Sequence, residues 1–119
     1  MEMAKSILVI DDNFDDLNTM RTLLEKEGFE VKATTNGSDA LGLLEVNNFD
    51  LILINIRIPT LTGYDLLTMV KEKLKNNPKI MYISIVPEQE VILEDADGFI
   101  QKPFLPETFI SKIKMVFDE

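Results

Sequence analysis

The chain of 119 residues has no cysteine, no histidine and no tryptophan. Without cysteine it can form neither disulfides nor thiolate metal sites. Without histidine it has neither imidazole zinc ligands nor histidine acid–base catalysis. Positive charge is also scarce, with 12 Lys and Arg against 21 Asp and Glu and a formal charge of −9. The basic residues are scattered among acids, which argues against a nucleic-acid partner, because a phosphate-binding surface needs them clustered. No apolar run approaches the roughly 20 residues that cross a bilayer, so no membrane partner is expected. The start, Met1-Glu2-Met3-Ala4-Lys5, lacks the charged-then-apolar pattern of an export signal, and a cytoplasmic location is expected. Neither a P-loop nor a Gly-x-Gly-x-x-Gly pattern occurs, so nucleotide binding has no support.

What is present describes one ordinary globular domain, 45% hydrophobic and 28% charged. Apolar runs alternate with amphipathic segments, and the period switches each time. Residues 5–10, 30–34, 49–54, 79–85 and 98–101 read as strands. The first, third and fourth are apolar almost throughout, as parallel strands covered on both faces are. Residues 14–27, 38–46, 63–75 and 106–117 read as helices, the last with the clearest stripe: Phe109, Ile110, Ile113, Val116 and Phe117. Asn13 with Asp16, and Thr62 with Asp65, have the spacing of helix N-terminal capping pairs. Gly28 suits a helix C-terminus and Pro106 a first helical position. Asn36-Gly37 and Asn77-Pro78 are turn signals. No repeat, low-complexity stretch or linker interrupts the chain, and residues 1–119 are expected to be a single domain without an effector domain.

Alternating strands and helices imply a parallel, doubly wound α/β sheet. Such sheets bind ligands outside the carboxyl ends of their strands. The strand-like runs there deliver an acid pair, Asp11 and Asp12, an amide, Asn55, a hydroxyl, Ser84, and an amine, Lys102. Two adjacent carboxylates after a buried strand call for a cation or a basic group, and a hard ion such as Mg²⁺ suits them. One of the two could instead cap the first helix while the other is solvated. Lys102 reads as a charge clamp aimed at the acids, and a cis peptide before Pro103 is consistent with the turn there. Ser84 either faces the site or bonds to backbone at the strand end.

The runs Ile7-Leu8-Val9-Ile10-Asp11-Asp12, Asn36-Gly37 with Ala40-Leu41, and Phe49-Asp50-Leu51-Ile52-Leu53-Ile54, together with Pro59, Gly63 and Lys102-Pro103-Phe104, resemble a response-regulator receiver domain of the CheY-like superfamily. The resemblance covers essentially the whole chain. It implies a flavodoxin-like (βα)5 fold, a five-stranded parallel sheet of order 2-1-3-4-5, and a place in two-component phosphorelay signalling, not an enzyme. It implies Mg²⁺ at Asp11, Asp12 and the backbone carbonyl of Arg57, a phosphoacceptor at position 55, phosphoryl contacts from Ser84 and Lys102, and a rotamer change at Phe99. Partners would be a histidine kinase or a downstream signalling protein.

Three departures surround that site. Asn55 stands where the family has a nucleophilic Asp; an amide is a poor nucleophile and carries no charge, so phosphorylation should fail and Mg²⁺ should bind weakly or not at all. No other acid rescues the position, since Asp50 begins the same strand at its opposite end and Asp65 belongs to a helix start. Ile85, where the family has a small residue, is expected to narrow the entrance. Only 17 residues separate Ser84 from Lys102, so the fourth helix should be shortened to about two turns within Glu88 to Asp95. Arg57 either points over the acid pair as a substitute cation or faces solvent. Val91-Ile92-Leu93, with Phe99 and the last helix, either form an exposed apolar patch, which leaves a homodimer open, or cap the core where helix is lost.

These features favour a phosphorylation-independent receiver acting as a protein-interaction module. The alternative is a conventional switch whose Asp was replaced by Asn, as a locked or engineered form. A remote third reading is a small Mg²⁺-dependent phosphatase in which Asp11 or Asp12 is the nucleophile.

Overall fold

Nine of the expected elements form close to their expected limits in the computed structural model, which describes residues 4–58 and 61–118. Pro59, one residue of the resemblance, lies outside the described residues. In chain order the elements are β1 (Ser6–Ile10), α1 (Phe14–Lys26), β2 (Glu30–Thr34), α2 (Gly37–Val46), β3 (Leu51–Asn55), β4 (Arg57–Ile58), β5 (Leu61–Thr62), α3 (Gly63–Lys73), β6 (Lys79–Ser84), β7 (Gly98–Gln101) and α4 (Pro106–Asp118). Five strands make one parallel sheet of order β2-β1-β3-β6-β7. Counting only those five, the order is the expected 2-1-3-4-5.

Alternation along each strand divides the core in two, because successive side chains point to opposite faces. Leu8, Ile10, Ile52, Ile54, Ile80, Tyr82 and Phe99 pack with α2 and α3 on one face. Ile7, Val9, Leu51, Leu53, Met81, Ile83 and Ile100 pack with α1 and α4 on the other. Burial on both faces explains why β1, β3 and β6 read as unbroken apolar runs.

The helix starts follow their side-chain chemistry. The Asn13, Asn36 and Thr62 side chains accept from the backbone N–H groups of Asp16, Asp39 and Asp65 at 3.0, 2.8 and 3.1 Å. Asn36, read as a turn residue, is therefore the cap of α2. Gly28, at φ +91°, takes the left-handed conformation that closes α1. The Lys102–Pro103 peptide is cis.

Two features depart from the sequence reading. Arg57–Ile58 and Leu61–Thr62 pair antiparallel as a small hairpin between β3 and α3. The fourth helix is not shortened but absent: residues 85–97 contain one 3-10 turn, Glu88–Glu90, and otherwise run as bends and extended chain. Thirteen residues lie near the lower limit of about a dozen for any parallel crossover. Pro87 opens the segment, and five acids, Glu88, Glu90, Glu94, Asp95 and Asp97, repel one another within it.

Specific ties replace the missing helix. The Tyr64 hydroxyl accepts from the Ile92 N–H at 2.9 Å, Lys71 pairs with Asp95 at 3.2 Å, and the Asp97 carboxylate accepts from the Ile80 N–H at 2.8 Å. Val91, Leu93 and Ala96 pack against the core beside Tyr82 and Phe99, so this segment caps the core. Of the three residues Val91-Ile92-Leu93, Ile92 alone is exposed, and Phe99 is buried, so the apolar patch considered from sequence does not form.

Tyr82 lies edge-on to Tyr64, with ring centroids 5.2 Å apart, and is 2% exposed. Burial, reinforced by Tyr64 and Asp95, pushes its phenol up to about 12. Because the folded value lies above the ordinary one of 10.0, the stability linked to this group is present below that pH and is lost as pH rises toward about 12. An absorbance titration of phenolate should show one tyrosine ionising near pH 12 while the chain is folded, and the Tyr82→Phe variant should lack that step. Persistence of the step in the variant would show that another tyrosine is responsible.

Candidate functional site

The site lies at the carboxyl ends of β1, β3, β6 and β7, where parallel strands leave their last polar side chains together. Asp11 directly follows β1 and is fully buried, whereas Asp12 is exposed. A buried carboxylate needs hydrogen-bonded compensation at both of its oxygens. Asp11 has it: Oδ2 accepts from Lys102 Nζ at 2.6 Å, and Oδ1 accepts from the Asn13 N–H at 2.9 Å and from Asn55 Nδ2 at 3.2 Å.

Lys102, with its side chain 8% exposed, also donates to Asp16 Oδ2 at 2.8 Å. Burial works to lower the lysine's pKa, but hydrogen bonds to the two carboxylates outweigh it and hold the ammonium above its ordinary value. Burial pushes the Asp11 carboxyl up, against the opposing pull of Lys102 and the Asn13 N–H. The clamp expected of Lys102 is therefore present, and it closes on Asp11 and Asp16.

Asp16 is the member of this cluster that the sequence reading placed only at a helix cap. Its N–H does meet the Asn13 side chain, but its carboxylate turns to Lys102, and the Asn13 N–H takes Asp11 instead. The available signal was its place in the first turn of α1, which starts at the same sheet edge as Lys102.

Asn55 ends β3 and is 6% exposed. Its Nδ2 lies 3.2 Å from Asp11 Oδ1, 3.1 Å from Asp12 Oδ1 and 2.7 Å from the carbonyl oxygen of Arg57. All three neighbours are acceptors, which fixes the amide with its NH₂ toward them. The hairpin holds that carbonyl in place. Its closing bond, from the Gly63 N–H to the Ile56 carbonyl, is 2.7 Å long. Only glycine fits at 63, because a Cβ there would lie 2.7 Å from the Asn55 carbonyl oxygen and 2.8 Å from the Ile56 Cα.

The remaining site residues are distributed differently from the sequence reading. The Arg57 side chain is exposed and pairs with no carboxylate among the described residues, so it is not a substitute cation. Ser84 is buried, and its Oγ accepts from the Val86 N–H at 3.0 Å, a bond to local backbone. Ile85, in the turn after β6, is 60% exposed. Phe99 is buried in the core beside Tyr82. Gln101, not singled out from sequence, fastens the segment after β6: its Nε2 donates to the carbonyls of Ser84 and Val86, each at 3.1 Å, and its Oε1 accepts from the Glu88 N–H at 3.1 Å. Asp50 lies at the opposite edge of the sheet, where it accepts from the Ser6 N–H at 2.8 Å.

These residues fit Mg²⁺ poorly as they stand. Such an ion takes charged oxygens at about 2.0–2.1 Å. Here Asp11 is committed to Lys102, and an amide NH₂ stands where the three oxygens converge. Among the described residues no group of three or more acidic side chains could hold a metal ion.

A doubly wound parallel α/β domain with an acid pair, a clamping lysine and a strand-end hydroxyl at one edge defines the class. The response regulator receiver domain profile matches residues 7–114, and the chain belongs to that family of two-component response regulators. Response regulator SaeR of Staphylococcus aureus is 31% identical over 110 residues, covering 90% of this chain and 48% of SaeR. The chain thus spans about half the length of the curated relatives it matches. Among solved structures, a CheY-like receiver domain from Methanospirillum hungatei superposes with a TM-score of 0.86 at 31% identity, covering 98% of this chain and 95% of that one. Response regulator TrrA of Thermotoga maritima, in complex with Mg²⁺ and BeF, superposes at 0.82 with 26% identity, covering 94% of this chain and 98% of that one.

Replacing Lys102 with Met leaves the Asp11 carboxylate buried and unpaired, a change expected to cost about 3–5 kcal/mol at neutral pH. The variant holds Asp11 further above its ordinary value, so the penalty is full at neutral pH and shrinks as acid protonates that carboxyl. Urea unfolding of Lys102→Met, Asp11→Asn and the double variant measures this. The double variant should be clearly more stable than the sum of the single losses predicts, and strict additivity would show that the two side chains do not interact.

Proposed function

We propose that this receiver domain does not accept a phosphoryl group and works as a protein-interaction module in a two-component pathway. The observation that carries the reading is the state of Asn55: its nitrogen is engaged with Asp11, Asp12 and the Arg57 carbonyl, and an amide offers no nucleophilic oxygen for attack on phosphorus. Three further observations support it. Lys102 is committed to Asp11 and Asp16, and Ser84 is bonded to backbone within a segment fastened by Gln101. The crossover after β6 has lost its helix, so the surface that such a helix would offer a partner is replaced by acidic chain.

The partner is a histidine kinase or a downstream signalling protein. Phe14, Ile85 and Leu105, exposed by 64, 60 and 67%, follow β1, β6 and β7 on the same sheet edge as the acid pocket. They supply apolar contacts there. The residues that bring Asp11, Asp12, Lys102 and Ser84 to one edge also favour a second reading, a conventional switch locked by replacement of Asp with Asn at position 55.

Intact mass after incubation with Mg²⁺ and a small acyl-phosphate donor separates these readings. The unchanged chain is expected to gain nothing, and uptake of one phosphoryl group by it would sink the proposal. Uptake by the Asn55→Asp variant alone would give the lead to the locked switch. Uptake by neither would leave the interaction module as the better account.

A further inference from the structure

The Asn55 amide nitrogen sits where three oxygens from two segments converge. Asp11 Oδ1 and Asp12 Oδ1 come from the end of β1, and the Arg57 carbonyl comes from the hairpin after β3. Bringing two carboxylates and a carbonyl dipole together is unfavourable unless something positive lies between them. A divalent cation is one such group. The positive end of an amide is another, weaker in charge but covalently fixed in place and free of the cost of stripping water from an ion.

We infer that the Asn55 amide is a built-in substitute for the divalent cation, so the acid pocket of this chain is complete without metal and closed to it. The inference rests on reading the pocket as that of a non-phosphorylated receiver, and it goes beyond loss of a charged ligand. A cation at the convergence point displaces the NH₂ group, which then loses all three acceptors. Turning the amide so that Oδ1 faces the ion points the NH₂ group away from those acceptors. Asp11 cannot compensate, because its other oxygen is held by Lys102 at 2.6 Å. The side chain at position 55 is thus an obstacle to metal as well as a poor ligand.

Those two roles separate in one substitution. Asn55→Ala removes both the ligand and the obstacle. If Asn55 is merely a weak ligand, the alanine variant binds a divalent cation no better than the unchanged chain. If it is a substitute cation, the alanine variant binds better, and Asn55→Asp better still. Mn²⁺ is the probe, read by selective broadening of the backbone N–H resonances of residues 10–12 and 55–57, with Mg²⁺ competition and thermal unfolding as second readouts. The unchanged chain is expected to show no selective broadening, no rise in Tm with Mg²⁺, and an affinity at least about tenfold below that of Asn55→Asp. Binding by the unchanged chain within about threefold of Asn55→Asp would overturn the inference, and so would an alanine variant that binds no better than the unchanged chain. Should Asn55→Ala fail to fold, Asn55→Gly, which likewise removes both the ligand and the obstacle, makes the same comparison. Mn²⁺ binding within about threefold of Asn55→Asp by an unchanged chain that gains no phosphoryl group would remove this inference and leave the interaction module standing. Phosphoryl uptake by the unchanged chain would remove the function itself.

Discussion

The ion pair between Lys102 and Asp11 joins the turn after the last strand to the end of the first, across 91 residues of sequence and over the two strands that lie between. Both side chains are shielded from water, so their attraction is strong and their desolvation cost large. The pair is stable only where further hydrogen bonds support both groups. Asn13 and Asn55 donate to Asp11, Asp16 accepts from Lys102, and among the described residues no buried side-chain nitrogen or oxygen is left without a partner. The geometry of the carboxyl edge follows from this condition.

Charge explains why the arrangement suits an amide at position 55. Asp11, Asp12 and Asp16 bring three negative charges, and Lys102 returns one positive charge. A further carboxylate at the end of β3 would add repulsion that only a bound cation could offset. The amide adds no charge and supplies donors, so the cluster is self-consistent as it stands. The cost is chemical, since the group that settles the electrostatics is not a nucleophile.

The other side of the sheet shows how a fold survives loss of an element. A crossover too short and too acidic for a helix still has to cover Tyr82 and Phe99. It does so with three apolar residues, Val91, Leu93 and Ala96, and with ties to α3 through Tyr64 and Lys71. Gln101 fastens the start of the same segment to β7. Core coverage is kept, and a regular helical surface is given up.

The sequence by itself determined the doubly wound sheet, its nine main elements and the edge at which the polar residues meet. These depend on period, on apolar runs and on local capping, all of which are written over a few neighbouring residues. The absence of an acidic nucleophile was equally plain in Asn55. Only the tertiary structure decided which side chain each polar group would choose. Asp16 satisfies its spacing as a capping residue, yet its carboxylate pairs with a lysine 86 residues away. Arg57 could have faced the acids, but its backbone carbonyl does so instead and its side chain faces solvent. Ser84 had two available partners and bonds to the nearer backbone. A hydrogen bond between distant segments depends on where the whole sheet sets their ends, and no local pattern in the chain encodes that distance.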